Sequence, residues 1–172
     1  FDPLKLKAIN AEYIRRMSFE DFKKAAMPYI RQTVKREDVD LDVLIRTLQP
    51  RTEVFVDIPE QVDFVDALPE YDNSLYVHKK MKTNEETALS ALNEILPVLE
   101  AIPENEWNEE KIHEELFRLI EKLGVKNGWL LWPLRVAVSG KQFTPGGGIE
   151  LCTVIGKADS IERIKKGIAK LS

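Results

Sequence analysis

Cys152, His78, His113, the tripeptide Ser139-Gly140-Lys141 and the acid pairs Glu85-Glu86, Glu109-Glu110 and Glu114-Glu115 have side chains suited to catalysis or ligand binding. None of them assembles into a working set. The two histidines stand far apart in the chain, with no cysteine or spaced carboxylates nearby. They match no metal motif and read as surface or helix-face residues. Cys152 lies between Leu151 and Thr153 and reads as a small buried apolar residue rather than a nucleophile. A phosphate loop of the form GxxxxGK[ST] would need glycine at position 135 and a hydroxyl at 142, where this chain has Arg135 and Gln142. The run Gly146-Gly147-Gly148 after Pro145 reads as a turn. The acid pairs fall in the first turns of expected helices, where they offset the helix dipole and stay solvated. No catalytic residue and no metal site is assigned.

One segment carries different chemistry. From Gly128 to Gly146 the chain is strongly apolar, contains the single arginine Arg135, and ends in the Thr144-Pro145-Gly146 turn. An arginine in such a run must snorkel, pair with an acid, or serve a partner. Its planar fork suits base edges and phosphates, and the adjacent turn offers backbone groups and a proline face to a splayed base. Pairing with one of the acidic helices is the equal alternative at this point.

The elements that must position this segment are helical. All eight glycines lie at or after Gly124, so the long stretch before it lacks the residue that tight hairpins use for positive φ. Ser18 with Asp21 forms a capping pattern ahead of Phe19, Phe22, Ala26 and Ile30. Leu41, Leu44, Ile45 and Leu48 make a short apolar face ended by Pro50. Thr83 with Glu86 is expected to cap a helix whose Leu89, Leu92, Leu96 and Leu99 share a side. Asn108 caps the next, through Ile112, Leu116, Leu119 and Leu123, and Gly124 stands where a left-handed terminal glycine belongs. Asp159 with Glu162 forms a last box ahead of Ile161, Ile164, Ile168 and Leu171. Residues 51–76 read as short irregular pieces with a few extended residues. The fold class is all-α, in helical bundles, with a soft boundary near residues 73–83.

The 172 residues are 44% hydrophobic and 31% charged, enough apolar material for a core and too much for disorder. No apolar run approaches the roughly 20 residues of a membrane-spanning helix, and one cysteine allows no internal disulfide. The net charge of −4 hides an asymmetry. Residues 1–36 carry +5, residues 37–110 carry −14 and residues 111–172 carry +5. A pI near 5.4 argues against indiscriminate polyanion binding, so any nucleic acid is expected on a localised surface. The absence of a start methionine and of a signal segment leads to the expectation of a soluble, cytoplasmic piece of a longer protein.

The stretch Pro133-Leu134-Arg135-Val136-Ala137-Val138-Ser139-Gly140, followed by Thr144-Pro145-Gly146-Gly147 and a short aliphatic run, resembles the C-terminal anticodon-binding region of bacterial-type glutamyl-tRNA synthetases. Phe1-Asp2, Lys5-Leu6, Asn10 and Tyr13-Ile14 resemble the segment leading out of that family's stem-contact region. Gln49-Pro50-Arg51 and the spacing of Trp107, Gly124 and Gly128 extend the likeness over essentially the whole chain. The resemblance implies a two-part helical cage around three anticodon bases. Its parts are residues 1–17 as the tail of the stem-contact region, 18–78 as the first helical subdomain and 79–172 as the second. Glutaminyl enzymes of the same class read the anticodon with β-barrels, which the glycine-free helical two-thirds argues against.

Carried over residue by residue, the resemblance implies that Arg51 reads the third anticodon base, Arg135 approaches the first two, and Thr144 and Pro145 pack on the first. Guanidinium donors match the O2 and N3 acceptors of cytosine and meet donors on the Watson–Crick edge of guanine, although its O6 still accepts. Ala8 stands where the family often has tryptophan, and Gly147 where larger apolar residues are common. Trp129 and Trp132 read as core residues rather than stacking platforms. The family's HIGH-like and KMSKS-like motifs are missing. The expected role is therefore a non-catalytic, monomeric fragment that binds the tRNA(Glu) anticodon loop, neither DNA nor membrane. No cofactor is expected in the fragment, and ATP and Mg²⁺ are expected in the parent's catalytic half. Two other readings compete: a helical protein-interaction scaffold, and a relaxed enzyme that also charges tRNA(Gln).

Overall fold

A computed structural model describes residues 2–172; Phe1, part of the opening likeness, lies outside them. Nine α-helices follow one another among the described residues: α1 Pro3–Arg16, α2 Phe19–Ile30, α3 Leu41–Leu48, α4 Ile58–Gln61, α5 Glu85–Glu100, α6 Glu109–Leu123, α7 Asn127–Ser139, α8 Gly148–Ile155 and α9 Lys157–Leu171. Single 3-10 turns occupy Gln49–Arg51, Phe55–Asp57, Asn73–Tyr76 and Glu104–Glu106. Among the described residues no strand forms, and the only bridge joins His78 to Thr83. The all-α expectation holds. The irregular region 51–76 is a string of short helical turns rather than extended chain.

Local signals explain most boundaries. The Ser18 hydroxyl accepts from the Asp21 amide at 3.1 Å and starts α2, and Asn108 does the same for Lys111 and α6 at 2.8 Å. Caps of this kind contribute about 1 kcal/mol each. Gly124 closes α6 at φ +66°, with its amide donating to Ile120 and that of Val125 reaching the same carbonyl.

Two expected caps are corrected. Asn84, not Thr83, starts α5, accepting from the Thr87 amide at 2.8 Å while the Thr87 hydroxyl accepts from the Asn84 amide at 2.9 Å. The Thr83 hydroxyl is already committed, donating to the Tyr76 carbonyl at 2.7 Å inside the core. Likewise α9 begins at Lys157 behind Gly156, and Asp159 is held by Arg36 and Arg163 instead of capping. The buried stripe of α5 runs through Ala88, Ala91, Leu92, Ile95 and Leu99, leaving Leu89 and Leu96 half-buried.

Helix α5 packs between α9 and α7, α8 lies against α7, and α3 reaches across to α8. One buried apolar cluster therefore runs from Phe22 and Leu44 through Phe64 and Tyr76 to Leu92, Leu134 and Ile164. Arg163, 3% exposed, is threaded through this interior. It donates to the carbonyls of Phe64, Val138 and Val65 at 2.8, 2.7 and 3.1 Å and pairs with Asp159 at 3.0 Å. Arg36 completes the tie, reaching Asp159 at 2.7 Å and the Ile155 carbonyl at 3.1 Å. These bonds fix the chain around residues 64–66 to the end of α7, which carries the loop of interest.

Candidate nucleic-acid interface

Arg51 stands at the end of a turn locked on both sides. The Gln49 side-chain amide Nε2 donates to the carbonyls of Ile14 and Met17 at 3.0 and 2.8 Å. The buried Thr52 hydroxyl donates to Leu48 at 2.8 Å. The backbone is thus fixed to α1 and α3 while the Arg51 side chain projects into solvent. Fixed backbone and free guanidinium suit a residue that meets a partner.

Arg135 lies half-buried on α7, its guanidinium over the Trp132 ring at 5.2 Å and one amino group donating to the Gln142 carbonyl at 2.9 Å. Its Nε is buried without a hydrogen-bond partner. No carboxylate pairs with Arg135 or Arg51 among the described residues, so pairing with an acidic helix is set aside. Burial, and then the nearby charge of Arg51, pull the Arg135 pKa below its ordinary value. Two guanidinium groups within each other's field, neither paired with a carboxylate, favour an anionic or acceptor-rich ligand.

The loop after α7 is equally constrained. The Ser139 hydroxyl donates to the Arg135 carbonyl at 2.6 Å and accepts from the Lys141 amide at 3.2 Å. Lys141 bridges to the Glu60 carbonyl and to Asp63 at 2.6 and 2.8 Å, tying the loop to α4. Thr144 and Pro145 are buried, and the Thr144 hydroxyl donates to the Gly146 carbonyl at 2.5 Å. The hydroxyl is therefore engaged within the turn, leaving the main chain as the part of Thr144 that can meet a base.

Arg51, Thr144 and Pro145 line one cavity of about 380 Å³ with Glu53, Gln61 and Phe143. Three of the four residues named from sequence thus share a cleft, and Arg135 stands close enough for Arg51 to perturb it. Three lining residues are not among those expected from sequence: Glu53, which pairs with Lys7 at 3.4 Å, Phe143 and Gln61. Phe143 is 75% exposed, an aromatic face offered to solvent. Gln61 buries a side-chain oxygen that has no partner. An aromatic in a polar turn is a usable signal for Phe143, whereas no local pattern marks Gln61. Trp132 is core, as expected, its indole donating to the Leu75 carbonyl at 3.0 Å.

The cleft offers the Arg51 cation, an exposed aromatic and an orphaned amide oxygen, with the Arg135 guanidinium close enough to feel the charge of Arg51, a combination suited to unstacked bases. Residues 21–168 match the anticodon binding domain family. The chain belongs to that family. This anticodon-binding domain is similar to the glutamate–tRNA ligase of Clostridium acetobutylicum, at 51% identity over 99% of the chain and 35% of the relative. The corresponding enzyme of Clostridium tetani is 53% identical over 99% of the chain and 34% of the relative. A solved glutamate tRNA ligase from Elizabethkingia meningosepticum, in complex with its amino acid, superposes with a TM-score of 0.80 at 26% identity. That match covers 100% of the domain and 33% of the neighbour. The domain spans about a third of the length of these relatives.

Proposed function

We propose that the chain is the anticodon-reading part of a glutamate–tRNA ligase, holding the tRNA(Glu) anticodon loop in the cleft of Arg51, Arg135, Thr144 and Pro145. The observation that carries this is that Arg51 shares a cavity with Thr144 and Pro145 from a separate part of the chain, while Arg135, lining a second cavity, stands within the field of Arg51, and neither arginine has a carboxylate partner among the described residues. Residues 18–78 supply Arg51 and residues 79–172 supply the opposite wall, with 1–17 leading in from the stem-contact region. Arg51 donates to the acceptor edge of a cytosine as the third base. Arg135 serves the first two bases, its guanidinium plane supported by Trp132. Thr144 and Pro145 form the floor beneath the first.

In this reading the chain binds and reads, and does no chemistry of its own. The parent enzyme joins glutamate to tRNA(Glu) through an adenylate, with ATP and Mg²⁺ held by residues outside this chain. It acts as a cytoplasmic monomer. A protein-interaction scaffold of the same fold would show little affinity for an anticodon stem-loop and no steep loss of it with salt. The test is fluorescence anisotropy of an anticodon stem-loop at two salt concentrations. Arg51→Ala or Arg135→Ala is expected to weaken binding by about tenfold or more, equivalent to about 1.4 kcal/mol. Binding of the wild type should weaken as salt rises. No detectable affinity for the stem-loop, or equal affinity in both variants and the wild type, would overturn the proposal.

A further inference from the structure

Lys79, Lys80 and Lys82 lie in the turn between the Asn73–Tyr76 segment and α5, and all three are exposed. Among the described residues no carboxylate comes within 4.0 Å of their ammonium groups. Glu85 and Glu86, the acids that follow, pair with none of them. Three lysines in a loose turn would be an ordinary solvated surface. This turn is not loose.

The His78 amide donates to the Thr83 carbonyl and hydroxyl at 3.2 and 3.1 Å, and the Thr83 amide returns a bond to His78 at 3.1 Å. The Met81 amide donates to His78 Nδ1 at 3.2 Å, and the Thr83 hydroxyl anchors the whole turn to buried Tyr76. Lys82 sits at φ +56°, a left-handed conformation that an L side chain adopts only where its surroundings impose it. The turn is also docked on α7. The His78 ring meets Trp132 edge-on at 4.4 Å between centroids. Met81 lies so tightly on Gly128 that a Cβ there would collide with its sulfur. Trp132 in turn carries the Arg135 guanidinium, and Met81 and Arg135 line a single cavity of about 400 Å³ with Phe117, Leu131 and Ile149.

We infer that the Lys79–Lys82 turn is a phosphate-contact site, holding the sugar-phosphate backbone of the single-stranded RNA loop whose bases enter the arginine cleft; it rests on the reading of that cleft. Ammonium groups act as point charges on phosphate and carry no base information. A rigid mount for them, keyed through His78 and Met81 to the helix that holds Arg135, sets the backbone in register with the bases.

The test compares the wild-type chain with K79A/K80A/K82A against the labelled anticodon stem-loop, across about 50 to 200 mM salt. A control triple variant, K24A/K122A/K166A, removes the same charge from exposed positions on α2, α6 and α9. The turn variant is expected to bind about tenfold more weakly, with the slope of log affinity against log salt shallower by about 0.7 for each phosphate left without its lysine. Its ratio of affinities for C and G at the third anticodon base should equal that of the wild type. The control should stay within about twofold of the wild type, since long-range charge is screened. A wild type that binds, with a turn variant of equal affinity and slope, overturns the site in the turn while leaving the cleft standing. A turn variant no weaker than the control triple does the same. A wild type with no affinity at any salt overturns both.

Discussion

Replacing Arg163 with methionine should be the most destabilising single change outside the aliphatic core. The side chain is 3% exposed and serves three main-chain carbonyls and one carboxylate, so its loss strips donors from Phe64, Val65 and Val138 together. Methionine fills most of the volume, which keeps the cavity cost small. What remains is the cost of unsatisfied buried acceptors and of leaving Asp159 to Arg36 alone. Breaking a buried ionic arrangement of this type costs about 3–5 kcal/mol, a large part of the roughly 5–15 kcal/mol that holds a domain together. With a urea dependence of about 2 kcal/mol per molar, the unfolding midpoint should fall by about 2 M. Lysine at 163 should recover only part of the loss, because one ammonium cannot bridge carbonyls on two elements. Methionine at Arg118, whose pairs with Glu114 and Glu115 are exposed, should leave the midpoint at the wild-type value. A midpoint shift below about 0.5 M for Arg163→Met would refute the role given to this tie.

Two further expectations concern stability. Alanine at Gly124 meets open space, so only the left-handed backbone at φ +66° resists it, at about 1 kcal/mol. Alanine at Gly140 adds a Cβ 2.9 Å from Tyr71 and 3.1 Å from the Pro69 carbonyl, and should cost about 3 kcal/mol. Urea titration of both variants separates the two, and equal costs would contradict the packing around Gly140. Burial pushes the Cys152 thiol up to about 12 from its ordinary 9.0. The neutral thiol is the form the fold favours, so its stabilisation is complete below pH 9.0 and is lost as pH rises toward 12. Cys152→Ala should flatten part of that alkaline decline, and a thiol reagent at pH about 8 should leave the folded wild type unmodified. Rapid modification of the folded chain would contradict the burial.

Helices whose signals are local were legible from the residues themselves. Ser18, Asn108 and Gly124 mark their helix ends because each acts within a few residues of itself. Thr83 and Asp159 misled because long-range partners, Tyr76 for one and Arg36 and Arg163 for the other, had already claimed them. Helix α7 shows no helical period in its sequence, since Leu130, Trp132, Leu134, Val136, Ala137 and Val138 are buried nearly all round. Arg163 carried no sequence signal either, because its acceptors are main-chain carbonyls. In the candidate site, chemistry alone raised Arg135 and the turn at Thr144-Pro145. Arg51 came only through resemblance, and the engagement of the Thr144 hydroxyl by the Gly146 carbonyl depends on how the turn closes, which no residue type dictates.

The most direct measurement is binding of the chain to two anticodon stem-loops that differ only in the third anticodon base, C against G, alongside Arg51→Ala. A guanidinium facing the cytosine acceptors predicts a preference for C of about tenfold or more, lost when Arg51 is removed. Equal affinity of the wild type for both loops, or a preference that survives Arg51→Ala, would contradict the reading of Arg51 as the residue that selects the third base.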